Sequence, residues 1–161
     1  DSSVASSPVF HVYQAAQVKG QDKGFLSRDI TVADILLYKG DIHHLYPKSY
    51  LKSNNKSRGD YNQIANYVLM QQEINIAIGA KDPDKYFAEI IKQIETGKLK
   101  YGGIKDAAEL KRNFEENCIP ISMLESETME YDDFLKERRV LMAKKMKKYF
   151  QSLGEVEMET E

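Results

Sequence analysis

A single cysteine, Cys118, is all that 161 residues provide, and this excludes two classes of protein. An internal disulfide has no second partner, and a multi-cysteine zinc site has no ligands. Cys118 is expected to be a small buried hydrophobe, and a reducing, cytoplasmic compartment is the natural expectation. Long apolar runs are missing too. None approaches the roughly 18 residues that a membrane-crossing helix needs, so no membrane association is expected. The N-terminal residues, acidic and Ser-rich from Asp1 to Pro8, lack the basic start and apolar stretch of a secretion signal. Positive charge is also scarce: the net charge is −2 and the pI is near 6.0, a poor match to a phosphate backbone. The deficit is local, however. Glu155, Glu157, Glu159 and Glu161 lie within the last seven residues, and the remainder is weakly basic. The chain opens on Asp1 rather than on methionine, which suggests a piece of a longer protein.

What is present is an ordinary globular balance, with 42% hydrophobic and 30% charged residues, at a length that suits one core. Residues 1–7 are expected to be a disordered terminus, residues 8–153 one domain and residues 154–161 an acidic tail. A helix is predicted over 8–19, with Val9, Tyr13, Ala16 and Gln17 near one face and Gly20 at its end. Over 35–38 the apolar run does not separate helix from strand. Residues 41–46 read as a strand closed by Pro47, and 49–60 read as a loop from their Ser, Asn and Gly content. A second strand fits 67–70, and a short helix fits 73–78 before Gly79. Asp82 as cap and Pro83 at the first helical position open a further helix, whose stripe is Tyr86, Phe87, Ile90, Ile91 and Ile94. Helices over 106–116 and 131–153 complete an α+β, mostly α-helical fold. One strand–loop–strand–helix unit occupies residues 41–79.

That unit carries the chemistry. It holds two adjacent histidines in Asp41-Ile42-His43-His44-Leu45-Tyr46-Pro47, then Asn66, then Asn75 nine residues later. Phosphodiester cleavage needs a base to take a proton from the attacking water, and imidazole suits that task near neutral pH. It also needs charge stabilisation at the leaving O3′, which a divalent cation supplies. A carboxylate or histidine plus an asparagine oxygen is enough to hold such a cation, with waters completing its shell.

These residues resemble the HNH (His-Me finger, or ββα-metal) endonuclease family. The family carries Asp-His or His-His, an apolar residue and then Pro, followed by an Asn at the second strand and a metal-binding Asn or His on the next helix. The pattern and spacing are similar to the HNH domain of CRISPR effector nucleases. Gly40-Asp41-Ile42-His43-His44-Leu45-Tyr46-Pro47-Lys48, Tyr61-Asn62-Gln63-Ile64-Ala65-Asn66 and Gly79-Ala80-Lys81-Asp82-Pro83 with Tyr86 look most like the C-terminal nuclease domain of GmrSD-type restriction proteins. The likeness covers about residues 40–90. It implies a ββα-metal unit embedded in flanking helices, with His44 as general base, His43 and Asn75 as metal ligands, and Asn66 holding the loop or the imidazole among the catalytic group. It further implies Mg2+ as cofactor, DNA as substrate (including phage DNA with modified bases) and an upstream nucleotide-dependent domain in the full-length protein. His43 departs from the family's usual Asp, and because imidazole is softer than carboxylate, Mn2+, Ni2+ or Zn2+ also fits.

One geometric tension is visible. Consecutive residues on a regular strand face opposite sides, so His43 and His44 share a site only where the strand ends or twists. Asp41 has the parity of His43 and is a further candidate metal ligand. Lys48, Lys52, Lys56, Arg58 and Lys81 are candidate nucleic-acid contacts, against the plainer role of solvated loop charges. Lys144, Lys145, Lys147 and Lys148 read as the wet face of the last helix. Tyr86, Phe87 and Phe114 read as core, and His11 as an ordinary helix residue. Two alternatives remain: a non-catalytic DNA-binding or assembly module of a larger defence protein, and a structural zinc site built on His11, His43 and His44.

Overall fold

The computed structural model describes residues 5–38, 40–125 and 128–158; for Asp41 and residues 155–158 the backbone alone is described. Among these residues, eight α-helices and two short 3-10 turns surround a two-stranded antiparallel sheet. The fold is α+β and mostly helical, as the patterning implies.

Helix α1 (Pro8–Lys19) starts on Pro8, where a missing N–H costs nothing. Its buried face is Phe10, Tyr13, Ala16 and Gln17. Val9 lies outside that face and is exposed, because the neighbouring Phe10 takes the inward position. The first four residues lie outside the described ones, whereas Ala5, expected to be disordered, packs against the core.

The ambiguous run at 35–38 belongs to a helix, α2 (Val32–Leu37). The deciding signal lies upstream: Thr31 Oγ1 accepts from Asp34 N at 3.1 Å while Asp34 Oδ2 accepts from Thr31 N at 2.9 Å, a reciprocal cap. Strand β1 (Asp41–His44) is the next element. Gly40 sits close against α2, where a Cβ would lie 2.1 Å from Ile35 Cγ2.

β1 pairs with β2 (Tyr67–Met70), with His43 opposite Val68 and His44 opposite Tyr67. The strand stops at His44 rather than reaching residue 46. The next two N–H groups go to Asn66, Leu45 N to its main-chain oxygen at 2.9 Å and Tyr46 N to its side chain at 2.8 Å.

Residues 49–60, expected to be a loop, are mostly helical. α3 (Lys48–Ser53) follows Pro47 and buries Leu51, and α4 (Arg58–Tyr61) begins where Ser57 N donates to Asp60 Oδ2 at 2.7 Å. The polar residues punctuate one tight turn between the two, with Asn55 at φ 60°. Composition exaggerated the loop because short capped helices and turns draw on the same Ser, Asn and Asp residues.

α5 (Gln72–Ile78) ends at Gly79, with φ 58°. α6 (Pro83–Thr96) buries Tyr86, Phe87 and Ile90 and closes on left-handed Gly97. Asp82 does not cap it; its carboxylate pairs instead with Lys85 at 3.1 Å. α7 (Ala107–Glu116) is capped by Asp106, which accepts from Glu109 N at 2.9 Å. α8 (Tyr131–Met158) runs on into the expected acidic tail, while residues 159–161 lie outside the described ones. No helix among the described residues is long and apolar enough to cross a membrane.

The main core gathers Tyr13, Tyr46, Tyr86, Phe87, Phe114 and Phe134, with Cys118 buried beside them as expected. At its centre lies a cation that the patterning did not foresee. Arg138 of α8 is fully buried, with Nη1 donating to Ala65 O at 2.7 Å and Nη2 to Asn117 O at 3.2 Å. Ala65 sits in the 3-10 turn Ile64–Asn66 that leads into β2, so α8 anchors the sheet from below.

Candidate active site

Strand β1 and helix α5 bring together the first histidine and the helical asparagine. His43 is buried, and its Nδ1 lies 2.5 Å from Asn75 Oδ1. The Tyr86 ring stands edge-on to the imidazole at 6.3 Å between centroids. Asn75 reaches this place because β2 ends at Met70 and α5 starts at Gln72, folding back on β1. The nine-residue interval from Asn66 is thus the length of one strand and one helical turn.

His44 makes different contacts. Its Nε2 is 3.1 Å from Asn62 Oδ1, and its ring meets the edge of Tyr67 at 5.0 Å and of Tyr61 at 6.5 Å. His44 is the last residue of the strand, where the alternation of a regular strand ends, and the two imidazoles meet different neighbours. Asp41 shares the parity of His43, but its side chain lies outside the described residues.

Asn66 is fully buried and works entirely on main chain. Its Oδ1 accepts from Tyr46 N at 2.8 Å, and its Nδ2 donates to Tyr46 O and Tyr61 O, each at 3.1 Å. Of the two roles expected for it, these bonds are those of a loop clamp. They tie the exit of β1, which carries His44, to the end of α4, which carries Asn62. Tyr86 adds a second clamp, its hydroxyl donating to Leu45 O. Tyr46 extends the assembly toward α8, with its ring 4.8 Å from Phe134 and its hydroxyl donating to Met129 O.

The candidate DNA contacts divide into two groups. Lys48, Lys52 and Arg58 are exposed on α3 and α4, with Lys52 Nζ over the Tyr61 ring at 5.8 Å. Lys56 and Lys81 are engaged by this chain's own carboxylates. Lys56 Nζ lies 2.8 Å from Asp132 Oδ2, and Lys81 Nζ lies 3.2 Å from Glu89 Oε2 and 2.6 Å from the Tyr101 hydroxyl. Lys145, expected on the wet face of α8, pairs with buried Asp22.

Glu89 offers a direct test of the Lys81 cluster. Partial burial pushes its carboxyl up, but hydrogen bonds from Lys100, Tyr101 and Lys81 outweigh this and hold it down at about 2, against an ordinary 4.5. A depressed carboxyl stabilises the fold above its unfolded value and loses that contribution as pH falls through its folded value. Glu89→Gln is therefore expected to be less stable than the parent above about pH 4.5, with the gap closing toward pH 2. Urea midpoints across that range check this; a gap independent of pH would refute it.

His11 is exposed on α1, and no group of three or more His, Cys, Asp or Glu side chains gathers to hold a metal among the described residues. The zinc site built on His11, His43 and His44 accordingly finds no support. The sequence reading passed over Asn62 and Arg138 as site-forming residues. Asn62 lies four positions before Asn66, inside the run 61–66 that carries the family likeness, and that was the signal it offered. Arg138 stands among the alternating charges of α8 and offered none. Comparison with family models, with curated proteins and with solved structures yields no match to this chain.

Proposed function

We propose that this chain is a metal-dependent DNA endonuclease domain of the HNH, or ββα-metal, type, acting in restriction of phage DNA. The observation that carries the reading is the meeting of His43 Nδ1 and Asn75 Oδ1 at 2.5 Å across β1 and α5. In the absence of a cation His43 Nδ1–H donates to the Asn75 amide oxygen, and deprotonated at Nδ1 the same two atoms suit a divalent ion. Two neutral ligands leave most of a cation's coordination positions for water and phosphate oxygens, which fits a catalytic role better than a closed structural one. Bound there, the ion would neutralise phosphate charge and stabilise the departing O3′. Mg2+ is the first choice, and the imidazole also favours Mn2+, Ni2+ or Zn2+.

In this reading His44 takes the proton of the attacking water, Asn66 keeps the strand exit in place, and exposed Lys48, Lys52 and Arg58 draw in the phosphate backbone. A nucleotide-dependent domain elsewhere in the full-length protein would select the DNA, including DNA with modified bases. The test is plasmid nicking by the purified chain with Mg2+ or Mn2+, together with metal binding by calorimetry. Nicking should vanish on chelation, and Asn75→Ala should weaken metal affinity on the order of 10- to 100-fold. Undiminished nicking in chelator, or unchanged metal affinity in the variant, would refute the reading.

A second reading is favoured by the internal pairing of Lys56 and Lys81, which leaves fewer cations for DNA. It makes the chain a non-catalytic DNA-binding or assembly module. Salt-dependent binding to a duplex without cleavage at any divalent ion would establish it.

A further inference from the structure

We infer that Asn62 is the positioning residue for His44, fixing which ring nitrogen receives the proton. The inference rests on the nuclease reading for its catalytic meaning, but its geometry stands alone. Asn62 Oδ1 lies 3.1 Å from His44 Nε2. An amide oxygen only accepts, so the bond requires Nε2–H. A neutral imidazole carries one N–H and one lone pair, so the basic lone pair falls on Nδ1. The carbonyl of a carboxamide thus does here what an orienting carboxylate does beside a catalytic histidine, without bringing a negative charge to the place where phosphate must approach.

Three features make the contact a built one. Asn62 closes α4, its N–H donating to Arg58 O at 3.2 Å. The residue before it, Tyr61, is buried and has its carbonyl held by Asn66 Nδ2. The same Asn66 side chain holds Tyr46 N and Tyr46 O, two residues beyond His44. One buried amide therefore sets the spacing between the strand end that carries the imidazole and the helix end that carries its acceptor. The Tyr67 and Tyr61 rings stand edge-on to the imidazole and limit its rotation. Asn62 bonds to His44 whereas His43 pairs with Asn75, so Asn62 is expected to act on the base and not on the metal pair.

The test compares the parent with Asn62→Leu, which keeps the volume and loses the acceptor, and Asn62→Asp, which keeps the acceptor. Nitrogen-15 NMR of the His44 ring at one fixed pH reports the tautomer, and thermal melting reports whether each variant folds. The parent and Asn62→Asp should show Nε2–H, and Asn62→Leu should show a mixed or reversed population. Nicking by Asn62→Leu should fall on the order of 10- to 100-fold at an unchanged half-saturating Mg2+ concentration, and Asn62→Asp should fall less, since it restores the tautomer while adding the negative charge that the amide avoids. An Nδ1–H tautomer in the parent, or an unaltered tautomer in folded Asn62→Leu, overturns the assignment. Should the parent not nick DNA at all, the nuclease reading fails while the tautomer measurement still decides the role of Asn62.

Discussion

Replacing His44 by alanine is expected to lower metal-dependent nicking by about 10²- to 10⁴-fold, the range associated with loss of a general base, while metal affinity and the melting temperature change little. The selectivity of that outcome follows from the different partners of the two histidines. His43 faces Asn75 and is buried, so its removal would disturb both the cation pair and the packing against Tyr86. His44 is only partly buried and ends the strand, so its truncation opens little cavity, and water can satisfy the Asn62 Oδ1 acceptor that it leaves. Single-turnover nicking beside metal calorimetry on the same sample checks this. Equal nicking by parent and variant would remove His44 from the chemistry, and a parallel collapse of metal affinity would show that the two histidines act as one ligand set.

The largest effect on stability is expected at a residue far from any motif. Arg138→Ala should cost about 3–5 kcal/mol, from the cavity left in a dense core and from two carbonyls stranded without a donor. Burial pulls the guanidinium below the ordinary arginine value, and Nη1 and Nη2 offset part of that cost by donating to Ala65 O and Asn117 O. Arg138→Met should recover part of the loss, since it fills the volume without burying a charge. Denaturant midpoints at constant slope measure both. A cost below about 1 kcal/mol for the alanine variant would mean that the carbonyls find other donors. Because Ala65 precedes Asn66, a loosened Arg138 should also blur the clamp on β1, and nicking should decline in Arg138→Ala even where the chain remains folded.

Much of the local structure was legible from residue order. Pro83 marks a helix start because a missing N–H costs nothing at the first helical position. Gly79 and Gly97 mark ends because positive φ is easy for glycine alone. The resemblance to the HNH family implied that His43 and Asn75 lie together, and the structure places His43 Nδ1 2.5 Å from Asn75 Oδ1. What misled was composition. Residues 49–60 have the content of a loop, yet Leu51 and Tyr61 are buried and order two short helices around the turn. Asp82 has the chemistry of a cap but is taken by Lys85, a choice set by side-chain reach rather than by order in the chain.

By itself the sequence determined the mostly helical class and the two-stranded unit, because periodicity, capping and short-range spacing act over a few residues; the roles of His43, His44, Asn66 and Asn75 are what its resemblance to the HNH family implies. Only the tertiary structure decided which charges are spent internally, as with Lys56 on Asp132, Lys81 on Glu89 and Lys145 on Asp22. It also decided that Asn66 grips main chain, that Asn62 reaches His44 and that Arg138 lies in the core. The Lys56, Lys145 and Arg138 contacts join residues 21 to 123 positions apart, and those of Lys81, Asn66 and Asn62 close across turns. Partnerships of both kinds are chosen by packing, which local order does not encode.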